Sequence, residues 1–388
     1  MPVLNRVADL AEACTAWRRD LHQNPELLFD VHRTAGLVAE RLRAFGCDDV
    51  VVGVGRTGVV GVVRGRSTGS GRVVALRADM DALPITEATD LPWRSQVPGR
   101  MHACGHDGHT AMLLGAARYL AETRNFDGTA ILVFQPAEEG GGGGRAMVED
   151  GLMERFGVQE VYGLHNWPGL PVGSFALRPG PMMAAADHFD IHITGRGGHA
   201  ARPHAAVDTV LVAAQVVQAL QSVVARNVDP LEAAVVSVCA VHAGEAHNVI
   251  PQTATLKGTA RSLTDPVRDL LEARLRAVVE GVCAAFGATA AISYRRGYPV
   301  TVNHPAETAF LARAAADVAG AGRVDTAVPP VMGAEDFSFM LNSRPGAYIL
   351  LGNGDTAGVH HPAYDFNDAA IPYGVSLWAR VVELGMPA

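Results

Sequence analysis

The 388-residue sequence has no basic run, no long uninterrupted apolar run and only five cysteines. Its 40 Asp and Glu outnumber 32 Lys and Arg, giving a formal charge of −8, and the cations nowhere cluster. That balance leaves no electrostatic footprint for nucleic acid. Apolar stretches are broken by charges or Gln before they reach bilayer length, so no membrane partner is expected. The first residues, Met1 to Arg6, lack the apolar core of a signal peptide. The cysteines (Cys14, Cys47, Cys104, Cys239 and Cys283) are odd in number and irregular in spacing. This argues against a disulfide framework and for a reducing, cytoplasmic setting. Four of them lie among apolar neighbours and read as small buried hydrophobes. Cys104 differs, because its neighbours are histidines.

What is present describes an ordered protein, with 48% hydrophobic and 19% charged residues. The length fits two domains better than one core. Val73–Leu76, Ala130–Phe134 and Val161–Leu164 are short, β-rich and nearly continuously apolar, as strands buried on both faces of a parallel sheet are. Thr110 to Glu122 carries apolar residues at helical spacing, which completes a βαβ-type α/β pattern. From His188 the character changes. Phe189, Ile191 and Ile193 alternate with polar residues. A helix is predicted over roughly Asp208 to Arg226, then strands at Ala234–His242 and Thr253–Ser262. Asp265-Pro266 opens another helix, running to about Phe286, before a last strand at Thr289–Tyr294. The order βαββαβ is that of ferredoxin-like domains. After Pro299 the α/β character returns, with a helix near Glu307–Val318 and a buried strand at Ala347–Leu351. The reading is an α/β domain of residues 1–185 and 298–388, interrupted by an inserted α+β domain of residues 186–297.

The residues with chemistry cluster just past the carboxyl ends of the predicted strands, where open α/β sheets bind ligands. Asp79 and Asp81 follow the first strand, Glu138 and Glu139 the second, His165 the third, and His360 and His361 the last. In Met101-His102-Ala103-Cys104-Gly105-His106-Asp107-Gly108-His109, a Cys and a His two apart can face one point, and thiolate with neutral imidazole suits zinc and related metals. Alone this pair is weak, and a structural zinc site would need further Cys/His pairs nearby. Adjacent Glu138 and Glu139 point in different directions, so one can ligate metal while the other handles protons; a bare Glu-Glu pair would otherwise read as a solvated turn. The run Gly140–Gly144 lacks the ending of a phosphate loop and reads as a flexible connector.

Taken in order, Arg77-Ala78-Asp79-Met80-Asp81-Ala82-Leu83-Pro84, the Met101–His109 segment, Glu138-Glu139-Gly140, Gly163-Leu164-His165 and Val359-His360-His361-Pro362 resemble the M20 metallopeptidase superfamily. The resemblance is to its aminoacylase and hippurate hydrolase branch, which includes bacterial amidohydrolases and plant auxin-conjugate hydrolases. His22-Gln23-Asn24-Pro25-Glu26-Leu27 and Met332-Gly333-Ala334-Glu335-Asp336-Phe337 extend it over nearly the whole chain. It implies a mixed-sheet catalytic domain of the phosphorylase/hydrolase-like zinc exopeptidase type, with the inserted ferredoxin-like domain as a lid and dimerisation module.

The resemblance also implies two divalent metal ions per subunit, zinc first, with manganese, cobalt or nickel as alternatives. Cys104 would bridge them, with His106 and His165 on one ion and Glu139 and His360 on the other. The branch pattern of an apolar residue, His, any residue and Pro selects His360 over His361. The wider superfamily has His at the position of Asp79, which leaves Asp79 outside the ligand set, and Asp81 would orient a metal-binding residue. Glu138 would be the general base that takes a proton from the attacking water and returns it to the amine. His199, in Gly195-Arg196-Gly197-Gly198-His199, matches a residue that reaches the partner subunit's active site, implying a homodimer or higher oligomer. Asn248 and Arg261 match substrate-binding positions, and Arg261 would hold the substrate carboxylate. His102 and His109 lie near the site without being ligands, and the other histidines read as structural or exposed.

The activity implied is hydrolysis of small N-acyl amino acids, hippurate-like or N-acetylated. A dipeptidase or exopeptidase with the same metals is the first alternative, although no carboxylate is evident for a free amino group. A non-catalytic binding protein on this fold would not need every one of these residues. A Cys104 nucleophile paired with His106 would not need the distant Glu139, His165 and His360. The acyl group, amino acid and chirality are not written in the motifs.

Overall fold

The computed structural model describes residues 4–388. They form two units. One runs to Met182 and resumes over Val302–Pro329 and Asp336–Ala388; the other comprises Met183–Thr301 and Pro330–Glu335.

The first unit is organised by an eight-stranded mixed sheet. In spatial order its strands are Asp49–Val54, Gly58–Arg64, Thr129–Gln135, Val73–Asp79, Glu160–Pro168, Gly346–Gly354, Phe175–Ala176 and Val324–Asp325. The four central strands, Thr129–Gln135 to Gly346–Gly354, are mutually parallel. They are almost wholly buried, which is why they read in the sequence as continuous apolar runs. Asp49–Val54 and Gly58–Arg64 add an antiparallel edge. The helix His106–Thr123 is buried along nearly its whole length and packs with Asn5–Gln23 and Ile371–Gly385. Met112, Leu113, Leu120, Leu10, Val375 and Trp378 share one core with Leu76 and Leu132 of the sheet.

The predicted helix at Thr110 begins one turn earlier, at His106, because Gly105 takes a left-handed conformation (φ 90°) that starts the helix there. The Gly140–Gly144 run is not a flexible connector. It opens the helix Gly143–Glu149; a Cβ on Gly143 would run into the carbonyl of Pro136 and one on Gly144 into Asp336, while Gly140 and Gly142 take left-handed conformations. Nor are all four remaining cysteines buried: Cys14 and Cys283 are, Cys47 is half-buried, and Cys239 is exposed on the strand Ala234–Ala243. The pairing with Thr253–Ser262 shifts register between Val238 and Ala240, leaving Cys239 unpaired and exposed, which a local count of apolar neighbours does not register.

The second unit has a four-stranded antiparallel sheet in the order Ala234–Ala243, Thr253–Ser262, Ala185–Thr194 and Thr289–Arg296. With the helices Thr209–Asn227 and Asp265–Ala285 the chain order is βαββαβ. Phe189, Ile191 and Ile193 point to one face and pack with Val212, Val216 and Leu220 of the first helix and Leu271 and Leu275 of the second. Asp208 caps the first helix by accepting from the backbone N–H of Val210 and Leu211. Against expectation, Thr209–Asn227 is long and apolar enough to cross a membrane, with a mean hydropathy of 1.3. Its apolar stripe instead covers the sheet.

Asp187 anchors this unit. It is buried and accepts from Nε and Nη2 of Arg268, from the hydroxyl of Tyr294 and from the backbone N–H of Gly297, at 2.6 to 3.2 Å. Removing the carboxylate leaves a buried guanidinium without its charge partner, which costs about 3–5 kcal/mol. Asp187→Ala is therefore expected to lower the urea midpoint of the second unit by a corresponding amount, measured by circular dichroism; a midpoint like wild type would contradict the assignment.

Candidate metal centre

The carboxyl ends of the central strands bring together side chains that are far apart in sequence. Asp79 ends its strand and Asp81 follows two residues later. The Glu138-Glu139 turn lies three residues beyond Gln135. His165 lies within Glu160–Pro168, not beyond it as expected, because the strand continues past the apolar run through Asn166 and Trp167. His360 follows Gly354, on a loop, with φ of 66°. That left-handed conformation is uncommon for a residue with a Cβ. It is held by a 2.7 Å bond from the His360 N–H to the carbonyl of Ala103, which ties the loop to the Cys104 segment.

Ligand-capable atoms of Cys104, His106 and His165 lie within 4.8 Å of one another, as do those of Cys104, Glu139 and His360. The five residues proposed as ligands thus form two triads that share Cys104. Its Sγ is 3.3 Å from Nε2 of His165. Glu139 Oε1 is 3.2 Å from His360 Nε2 and 3.9 Å from His106 Nε2. Glu138, His106 and Glu139 form a further group of the same span. His361 is absent from these groups, and its Nδ1 accepts from the Ala363 N–H in its own turn.

Hydrogen bonds fix which imidazole nitrogens face the centre. His106 donates from Nδ1 to the carbonyl of Asp81, and His165 from Nδ1 to the carbonyl of Asn166. Each therefore turns Nε2 toward the centre; neutral His165 offers a lone pair there, while His106, held protonated by its carboxylate neighbours, would give up its Nε2 proton to a bound cation. His109 is different: Nδ1 donates to Asp79 and Nε2 accepts from the Asn166 N–H, so neither nitrogen is free to coordinate. Asp79 is likewise engaged, by Arg77 at 2.7 Å and His109 at 2.6 Å. Asp81 accepts the N–H of Glu138 on one oxygen (2.9 Å) and that of Glu139 on the other (3.1 Å), so its carboxylate fixes the turn carrying both glutamates.

The charges here are buried and strongly coupled. Burial, with Glu139, Glu138 and Asp79 nearby, pushes the Cys104 thiol well above its ordinary value. Burial opposes a charge on His106, but Asp79, Asp81 and Glu139 raise it to about 10. Burial and His109 depress His165, which keeps it neutral. Glu139 resists burial and stays below the usual carboxylate range because His360 and His106 face it. Such a concentration of negative charge fits a cation. Buried His106 Nε2 and Glu139 Oε1 make no hydrogen bond, and a thiol, three imidazoles and a carboxylate form a donor set suited to divalent metal ions.

His199, Asn248 and Arg261 lie in the second unit. His199 is exposed on the short strand Gly198–His199, opposite Val249, and the Ala200 N–H donates to the carbonyl of Asn248, so these two segments are neighbours. Arg261 is half-buried on Thr253–Ser262. Two buried groups escaped the sequence reading, Asn166 and Tyr364 beside Cys104; Asp336, named there only within a motif, receives Arg77, Gln135 and the Gly144 N–H. Asn166 carried one signal, its place directly after His165.

Residues 75–384 match the model of peptidase family M20/M25/M40. The chain is 42% identical over 381 residues to hippurate hydrolase of Campylobacter jejuni, covering 98% of each. It is 38% identical over 368 residues to N-acetylcysteine deacetylase of Bacillus subtilis, covering 95% of each. The YxeP protein of Bacillus subtilis, whose crystal structure is described as a dinuclear metal binding peptidase from the M20 family, superposes with a TM-score of 0.85 at 33% identity, over 98% of this chain and 99% of that one. With ordered motifs, converging donors and similarity along its whole length, the chain belongs to peptidase family M20/M25/M40.

Proposed function

We propose that this protein is a metal-dependent amidohydrolase that cleaves the amide bond of small N-acyl amino acids, hippurate-like or N-acetylated, to a carboxylic acid and a free amino acid. The observation that carries the reading is the pair of triads sharing Cys104, with Glu138 beside them. The relatives named for hippurate and N-acetylcysteine support the substrate class. Cys104, His106, His165, Glu139 and His360 would hold two divalent ions, zinc being favoured by the thiolate and manganese, cobalt or nickel compatible with the rest. Bound there, the ions would lower the pKa of a water and polarise the acyl carbonyl.

The chain's own residues carry the proton. Glu138 is almost wholly buried, and its backbone is anchored to Asp81, so its carboxylate is held beside the donor cluster. It would take the proton from the attacking water and deliver it to the departing amine, without which the nitrogen is a poor leaving group. Asp81 contributes by fixing Glu138 and Glu139 in one turn. His199 would support the tetrahedral intermediate from the partner subunit of a homodimer, while Asn248 and Arg261 would bind the substrate, Arg261 through its carboxylate.

Three outcomes are expected. Chelation should abolish hydrolysis of N-benzoylglycine and N-acetyl amino acids, and added divalent metal should restore it; hydrolysis indifferent to chelator would refute the reading. Glu138→Gln should keep its metal content but lose on the order of 10²–10⁴-fold in kcat, followed by product release alongside elemental analysis. Hybrids of Glu138→Gln and His199→Ala subunits should recover activity that neither homodimer has, since one of their sites is intact. Hybrids as inactive as the parents would place His199 outside the partner's chemistry.

A further inference from the structure

We infer that Asn166 is a positioning residue of the metal centre: its side-chain amide, locked by Tyr364, sets the spacing between Cys104 and His165. The inference rests on the reading of those two residues as ligands.

Asn166 is fully buried, and every polar group it owns is used. Its main-chain carbonyl accepts from His165 Nδ1 at 2.6 Å, which turns His165 Nε2 toward the Cys104 thiol. Its Nδ2 donates to the main-chain carbonyl of Cys104 at 2.6 Å, and its Oδ1 accepts from the Tyr364 hydroxyl at 2.6 Å. The amide orientation follows from chemistry. A carbonyl can only accept, so the NH₂ must face Cys104, and the oxygen is left for Tyr364. Burial pushes the Tyr364 phenol well above its ordinary value, so its proton stays available to donate. The main-chain N–H of Asn166 is taken by His109 Nε2 at 2.9 Å, and Nδ2 lies 3.0 Å from the same nitrogen. His109 can accept there because its own proton goes to Asp79.

One residue thus grips a ligand on the preceding position of its strand and the backbone of a ligand 62 residues earlier. Tyr364 brings in the segment that carries His360. A second observation shows how tight this is: a Cβ on Gly105 would collide with Asn166 Nδ2 and with the Tyr364 hydroxyl at 2.5 Å. The loop between Cys104 and His106 is therefore pressed onto the amide. Losing the amide frees the Cys104 carbonyl and leaves buried polar groups unpaired, so the sulfur and imidazole lose their fixed separation. Outer partners of metal ligands typically contribute 10–100-fold to metal affinity.

The test uses cobalt(II) binding to the full-length protein, read by chelator competition and by the thiolate-to-cobalt absorption band, with thermal unfolding of each metal-free variant alongside. Asn166→Leu keeps the volume and removes the amide; Tyr364→Phe removes only the hydroxyl that orients it. Asn166→Leu is expected to bind cobalt about 10–100-fold more weakly than wild type, with a shifted or weakened band. Tyr364→Phe should change both in the same direction by less. Affinity within about twofold and an unchanged band in Asn166→Leu would overturn the inference, and Tyr364→Phe decides alone should Asn166→Leu not fold. Wild-type protein that binds cobalt without a thiolate band would instead overturn the assignment of Cys104 as ligand, and the inference with it.

Discussion

A buried carboxylate is tolerated only if another group answers its charge, and the edge of the large sheet carries Asp79, Asp81, Glu138 and Glu139 in one neighbourhood. Arg77 and His109 answer Asp79, and two backbone N–H groups answer Asp81. Those pairings leave Glu139 Oε1 and His106 Nε2 near the Cys104 thiol without a hydrogen bond, with His360 Nε2 3.2 Å from that oxygen. The surrounding structure follows from meeting that constraint. The parallel strands supply rigid carboxyl ends, and the connecting segments supply backbone donors at fixed places.

The same constraint explains why the residues next to the donors are so fully employed. His109 uses both nitrogens to join Asp79 to the strand of His165, and Asp336 joins Arg77, Gln135 and Gly144. Each link fixes a rotamer or a tautomer, and a metal-binding centre depends on such fixed directions more than on bulk stability. The proton transfer proposed for Glu138 would depend on them too, because its reach is set by the turn that Asp81 holds.

Much of the fold was legible. Strands buried on both faces announce themselves as apolar runs, and the alternation of Phe189, Ile191 and Ile193 with the following helical patterns gave the βαββαβ order of the second unit. The antiparallel edge of Asp49–Val54 and Gly58–Arg64 was not read: Asp49–Val54 is largely exposed and carries Gly53, and Gly58–Arg64 is buried but interrupts its apolar run at Gly61. The glycine run at 140–144 misled because composition suggests flexibility where contact with Pro136 and Asp336 demands small residues. The helix Thr209–Asn227 passed as too interrupted for a membrane span, although glutamines on one face do not lower its mean hydropathy enough to exclude one.

By itself, the sequence determined which residue types stand at the ends of which strands, because β-rich apolar runs and their flanking Asp, Glu, Cys and His are local properties. It also determined the family, through motifs that keep their order over the whole chain. Only the tertiary structure decided which nitrogen of His106 and of His165 faces the donor cluster, that Asp81 holds the glutamate turn, that His109 is spent on Asp79 and Asn166, and that one amide binds the Cys104 and His165 segments together. Apart from the bond between the neighbours His165 and Asn166, those facts are hydrogen bonds between residues 25 to 62 positions apart, and no local pattern encodes a partner at that distance.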